Sequence, residues 1–169
     1  MRTELYWIPG VSPGRLAIMP RPRGGDWLED EVQSWRSAGV DVVVSLLEAD
    51  EASGLELLAE ETLSRASQMD FATFPIADRG VPRSREAASE LVTELAGHLG
   101  AGKSVAIHCR QGIGRAALVA VAVLIRLGEQ ADEAIARVSA ARGRAVPETP
   151  EQREWLNEFA RRDIKTLPA

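Results

Sequence analysis

The sequence predicts an α/β protein with a central, mostly parallel sheet flanked by helices on both faces. Two observations lead there. Short apolar runs alternate along the chain with longer segments of helical character, the order that builds a parallel sheet with helices packed on either side. Residues 40–47 are apolar and β-branched almost throughout, as a strand buried on both faces is. At 169 residues and 45% hydrophobic content the chain can bury a sizeable core, and one domain over residues 1–169 is expected.

Each element has a local reason. Residues 5–8 and 15–19 read as two short strands separated by the turn pairs Pro9-Gly10 and Pro13-Gly14. Asp26 is placed to N-cap a helix running to about residue 38, with Gly39 beyond it. After the buried strand at 40–47 comes an acidic stretch, residues 48–51, and then a helical region to about residue 69. Residues 71–76 alternate as a strand. Residues 82–98 form a helix with Leu91 and Leu95 on one face, closed by Gly100 and Gly102. Residues 104–108 are a strand, and the apolar run 116–127 is a buried helix, too short to span a bilayer. Asp132 is expected to cap a helix ending near Gly143. Thr149-Pro150-Glu151-Gln152 is a capping box with proline at the first helical position, opening a last helix to about residue 162.

The most informative stretch is His108-Cys109-Arg110-Gln111-Gly112-Ile113-Gly114-Arg115. It joins a strand to a helix N-terminus, where backbone N–H groups and the helix dipole converge on one concavity suited to an oxyanion. Gly112 and Gly114 allow close backbone approach. Arg115 offers a planar fork for two oxygens of a phosphate. The same field favours a thiolate at Cys109, since a thiol with a pKa of about 8.5 drops to roughly 3.5–7.5 in such surroundings. In-line attack of that sulfur on phosphorus would give a cysteinyl-phosphate.

With its two glycines, the strand before it and the apolar helix after it, this Cys-x5-Arg octet resembles the signature of the cysteine-dependent protein tyrosine phosphatase superfamily. The wording is closest to compact bacterial dual-specificity phosphatases, and the resemblance runs from about Trp7 to Phe159. It implies a phosphoric monoester hydrolase with Cys109 as nucleophile and Arg115 as phosphate ligand. The loop Arg110, Gln111, Gly112, Ile113 and Gly114 would cradle the phosphate, and His108 would support the cysteine. The family also carries a catalytic aspartate in a loop roughly thirty residues before the cysteine, and Asp78 matches it. Topology points the same way: ligands of open α/β sheets sit outside the carboxyl ends of the strands, where the loops at 48–51, 75–82 and 109–115 gather. Asp78 is therefore expected to protonate the leaving oxygen and then to activate the hydrolytic water. Glu48 and Asp50 are runners-up, better explained as a solvated acidic loop.

Two further positions bear on the chemistry. The family usually has Ser or Thr after the signature arginine, whose hydroxyl eases breakdown of the cysteinyl-phosphate; here the residue is Ala116. Loss of that hydrogen bond, worth roughly 1.5–3 kcal/mol, predicts a slower second step. Gln152 could orient a water, as a glutamine does in the tyrosine-specific branch, but the capping box explains it without catalysis.

A net charge of −5 argues against nucleic-acid or anionic-membrane binding. One cysteine makes no intrachain disulfide, and no secretory leader is evident, so a cytoplasmic enzyme is expected. Two histidines and one thiol do not make a metal cluster, and no cofactor or metal is expected, since Arg115 and the loop amides supply the charge stabilisation. A monomer acting on a phosphorylated protein or a small phosphomonoester is expected. A phosphoinositide or phosphometabolite substrate, a non-catalytic phosphate-binding module and a rhodanese-like sulfurtransferase stay open.

Overall fold

The computed structural model describes residues 2–166, and the side chains of residues 2–163; the extreme ends of the expected 1–169 domain lie outside the described residues. The strands are β1 (Tyr6–Trp7), β2 (Arg15–Met19), β3 (Val42–Ser45), β4 (Asp70–Thr73) and β5 (Ser104–His108). They form one five-stranded sheet in the order β1-β2-β5-β3-β4. β1 runs antiparallel to β2, and every other pairing is parallel. The helices are α1 (Leu28–Ser37), α2 (Ala49–Gly54), α3 (Glu60–Ala66), α4 (Arg85–Gly100), α5 (Arg115–Arg126), α6 (Ala131–Arg142) and α7 (Pro150–Thr166).

Strand alternation sorts the core into two layers. Leu16 and Ile18 of β2, Val42 and Val44 of β3, and Val105 and Ile107 of β5 face a layer built from α4 to α7. Ala17, Met19, Val43 and Ala106 face the other side, where Trp35 of α1 is fully buried. α5 sits in the middle of the first layer, with α4, α6 and α7 packed against it and residues 115–125 all buried. A helix enclosed on all sides has no polar face to show, which is why residues 116–125 carry no polar side chain.

Some boundaries differ from the sequence reading. Asp26 lies inside a short 3-10 turn, Gly25–Trp27, and Trp27 is the N-cap of α1. Gln130, not Asp132, caps α6; Asp132 falls in the first turn, where a carboxylate still suits the helix dipole. The helix expected from residue 82 starts at Arg85, with the Ser84 side chain accepting from the Ala87 amide. The long helical region after residue 51 is two short helices, broken where Glu56 adopts a φ of 58°. The capping box of α7 is as expected: the Gln152 amide donates to Thr149 Oγ1 at 3.2 Å, and Gln152 Oε1 accepts from the Thr149 amide at 3.1 Å.

The register of the parallel strands sets where the loops meet. Met19 and Ser45 both align with His108, and Ser45 aligns with Thr73. The parallel strands therefore end together, and the segments after β3, β4 and β5 meet along one edge. Backbone bonds tie them there: Leu46 N–H to the His108 carbonyl, and Ile76 N–H to the Leu46 carbonyl, each at 3.0 Å.

Candidate active site

The Cys109 loop builds the floor. Cys109 is 3% exposed at the end of β5, and its Sγ accepts a hydrogen bond from the Gly112 amide at 3.3 Å. Gly112 reaches that position with a φ of 69°, and a Cβ there would lie 2.7 Å from the Met19 backbone; only glycine meets both conditions. On the outer side, Arg142 of α6 donates to the Gln111 and Gly112 carbonyls at 3.2 Å. Arg110 and Gln111 point outward and are exposed, as expected. The cavity above the sulfur holds about 200 Å³, with Asp78, Arg79, Arg110, Arg115 and Glu148 among its walls.

His108 is fully buried beneath the loop. Its Nδ1 lies 3.3 Å from the Cys109 carbonyl oxygen, and its Nε2 lies 2.7 Å from Oε1 of buried Glu60 in α3. Both ring nitrogens face oxygen, so the ring is fixed in orientation and anchors the cysteine's backbone.

Arg115 opens α5 and is 2% exposed. Its Nη1 donates to Glu51 Oε2 at 2.7 Å and to the Ile76 carbonyl at 2.9 Å; its Nη2 donates to Glu51 Oε1 at 3.0 Å and to Asp78 Oδ1 at 3.2 Å. The Glu51 fork fixes the guanidinium plane. Burial pushes the Glu51 carboxyl up, but the Arg115 and Glu48-backbone hydrogen bonds, with the Arg115 and Arg110 charges, outweigh it and hold the group below its ordinary value of 4.5. Burial likewise pushes Arg115 down, and the Glu51 hydrogen bond with the charges of Cys109, Glu51 and Asp78 more than reverses it.

Asp78 reaches this cluster from a tight turn. The Gly80 amide donates to the Ala77 carbonyl at 2.8 Å, closing residues 77–80, and Arg79 sits inside with a φ of 60°. Three contacts hold the turn from outside: Asp78 to Arg115, Arg79 to Glu148 at 2.8 Å, and Gln152 Nε2 to the Gly80 carbonyl at 3.0 Å.

The structure thus brings Cys109, Arg115, Asp78 and His108 together and places the expected phosphate loop around them. The runners-up stand elsewhere. Glu48 pairs with Arg83 at 3.1 Å, and Asp50 is exposed. Glu51 and Glu60 were missed. Glu51 lies within the acidic stretch read as solvated, and only its distance of three residues from Glu48, with the sheet-edge argument, hinted otherwise. Glu60 gave no signal.

The fold and site define a class, the protein tyrosine phosphatases of dual-specificity type. A family model described as Tc-R-P, polymorphic toxin system, DSP-PTPase phosphatase, matches residues 17–129, which include both site loops. The chain belongs to this family and is a cysteine-dependent phosphatase. Among solved structures it is similar to kinase-associated phosphatase with serine replacing the catalytic-site cysteine, at a TM-score of 0.85 and 21% identity, with 99% of each chain covered. It is also similar to Tk-PTP in the active form, at a TM-score of 0.74 and 29% identity over 94% of this chain and 97% of that one. A glycine-to-alanine mutant form of Tk-PTP reaches 31% identity over the same shares, with the same TM-score of 0.74. No curated protein sequence matches the chain. The sulfurtransferase and non-catalytic readings give way to the phosphatase. Among the described residues no helix is long and apolar enough to cross a membrane.

Proposed function

We propose that the enzyme removes phosphate from phosphotyrosine and phosphoserine or phosphothreonine side chains of proteins through a Cys109-phosphate. One observation carries the reading: Arg115, fixed by Glu51, stands beside both the Cys109 floor and the Asp78 carboxyl. The phosphate enters with its oxygens on the loop amides and Arg115, Nη2 exchanging Asp78 for a phosphate oxygen. Cys109 sulfur attacks phosphorus, the P–O ester bond breaks, and the Asp78 carboxyl gives its proton to the leaving oxygen. Water then attacks phosphorus and loses a proton to the Asp78 carboxylate. The P–S bond breaks, returning the thiolate and releasing inorganic phosphate.

Arg110 is exposed at the mouth of the cavity, which supports substrates with acidic groups beside the phosphorylated residue. Ala116 is fully buried at the start of α5 and offers no hydroxyl, which supports a slow second step. Turnover of phosphotyrosine, phosphothreonine and phosphoinositide substrates, with Cys109→Ser as a binding trap, tests the assignment. Activity confined to the lipid would overturn it.

The family description supports a second reading, in which this domain is the toxic part of a polymorphic toxin system. Expression in a bacterial host should then arrest growth with Cys109 present and not with Cys109→Ser.

A further inference from the structure

We infer that Gln152 is a positioning residue for the proton donor: its carboxamide holds the turn carrying Asp78 against the Cys109 loop. This role depends on Asp78 being the acid. Gln152 is fully buried in the first turn of α7. Its Oε1 accepts from the Glu148 and Thr149 amides at 3.1 Å each, which completes the helix cap. A cap asks only for an acceptor, and glutamate serves there as well as glutamine. The Nε2 group is therefore surplus to the helix. It donates at 3.0 Å to the Gly80 carbonyl, two residues beyond Asp78. It also lies against the Cys109 loop, since a Cβ on Gly114 would stand 3.2 Å from it. One carboxamide thus bridges α7, the acid turn and the phosphate loop.

The turn needs such a hold. Arg79 has a φ of 60°, a left-handed conformation that a side-chain-bearing residue keeps only when its surroundings enforce it. Of the three outside contacts, the Asp78–Arg115 pair must open when phosphate takes the guanidinium. The Arg79–Glu148 pair has an arginine that is 62% exposed, and exposed pairs are weak. The Gln152 bond runs from a fully buried side chain to the half-buried Gly80 and is left untouched by the chemistry.

Gln152→Glu separates the two roles, because it keeps the capping acceptor and removes the donor. The assay compares kcat/KM, which reports the P–O cleavage step even when breakdown of the cysteinyl-phosphate limits turnover, for phenyl phosphate, a poor leaving group, and 4-nitrophenyl phosphate, a good one. A misplaced acid slows the first more: we expect about a tenfold loss of kcat/KM on phenyl phosphate and a ratio of the two kcat/KM values shifted about fivefold or more. In an Asp78→Asn background the substitution should add nothing to the phenyl phosphate defect. Gln152→Met, uncharged, should give the same leaving-group signature together with a less stable helix. Equal slowing of both substrates, or a defect that multiplies with Asp78→Asn, overturns the role, since either means the substitution acts on the fold or on the phosphate. If Asp78→Asn itself fails to discriminate between leaving groups, Asp78 is not the acid, and both readings fall. If only the Gln152 variants fail to discriminate, Asp78 stands and the positioning role alone is lost.

Discussion

The two loops that form the pocket are held by different means. The Cys109 loop is set first by its own backbone, with Arg142 and the Arg21 amide bracing it from outside: Gly112 turns its amide under the sulfur, and the loop runs directly from a buried strand into a buried helix. The Asp78 turn lies outside the sheet with a left-handed arginine in it, and it keeps its shape through contacts borrowed from α5, from Glu148 and from α7. The difference suits the work. In the proposed mechanism the nucleophile and phosphate cradle are rigid before substrate arrives, whereas the acid releases Arg115 and moves a proton within one turnover.

If the first loop is self-determined, a change in its backbone should do more harm than any change in the second. Gly112→Ala puts a Cβ 2.7 Å from the Met19 backbone at a φ of 69°. We expect kcat/KM to fall about a hundredfold or more, from displacement of the loop by as little as an ångström. A melting curve should show lower stability as well. Near-normal activity in this variant would mean that the loop is shaped from outside after all.

Glu51→Gln is next in size and addresses the element that both loops share. Removing the charge of one partner of a largely buried ion pair costs up to about 3 kcal/mol, and glutamine can hold Arg115 through one oxygen only, in place of the two-oxygen fork. KM should rise more than kcat falls, since the guanidinium loses the aim that meets phosphate. The pH dependence has a definite sign. The folded state holds the Glu51 carboxyl below 4.5, so its contribution is complete above that pH and is lost as the pH falls through the folded value. Denaturant titrations should therefore show the largest gap between wild type and variant near neutrality, narrowing below about pH 4.5.

The same contrast explains what could be read from the sequence. The Cys109 loop was legible because strand, glycines, arginine and apolar helix are consecutive, so local chemistry states the geometry. The sheet was legible for the same reason, in that β3 and β5 announce their burial residue by residue. Asp78 was found through topology, because parallel strands end on one edge. Glu51, Glu60 and the second bond of Gln152 were not found. Each joins positions far apart in sequence: 64 residues for Glu51–Arg115, 48 for Glu60–His108 and 72 for Gln152–Gly80. A glutamate in an acidic run looks solvated until the fold supplies its arginine, and a glutamine in a capping box looks fully explained. The errors at Asp26 and Asp132 are smaller and of another kind: both residues favour helix N-termini, and both lie within two residues of the true cap.

Ala116→Ser sharpens the comparison from within the rigid loop. It restores a hydroxyl at the start of α5 without touching the backbone. A hydrogen bond to the departing thiolate should speed breakdown of the cysteinyl-phosphate about ten- to a hundredfold. Rapid mixing should show a burst in the wild type that shrinks in the variant, while the first step keeps its rate. A wild-type reaction with no burst and no trapped phosphocysteine would show that the second step was never slow.

The smallest effects belong to the borrowed contacts of the Asp78 turn, and there the comparison can be broken with two substitutions at one site. Arg79→Ala and Arg79→Gly both delete the pair with Glu148, whose loss should cost no more than about 1 kcal/mol. They differ in the backbone. Alanine keeps the strain of a φ of 60°, whereas glycine adopts it freely. If the turn is strained and held from outside, Arg79→Gly should be the more stable variant by about 1 kcal/mol, a difference of about 2–4 °C in Tm for a chain of this size. If Arg79→Gly proved the less stable of the two, alanine would have relaxed to a negative φ once the Glu148 pair was gone, and the turn would not depend on the left-handed residue.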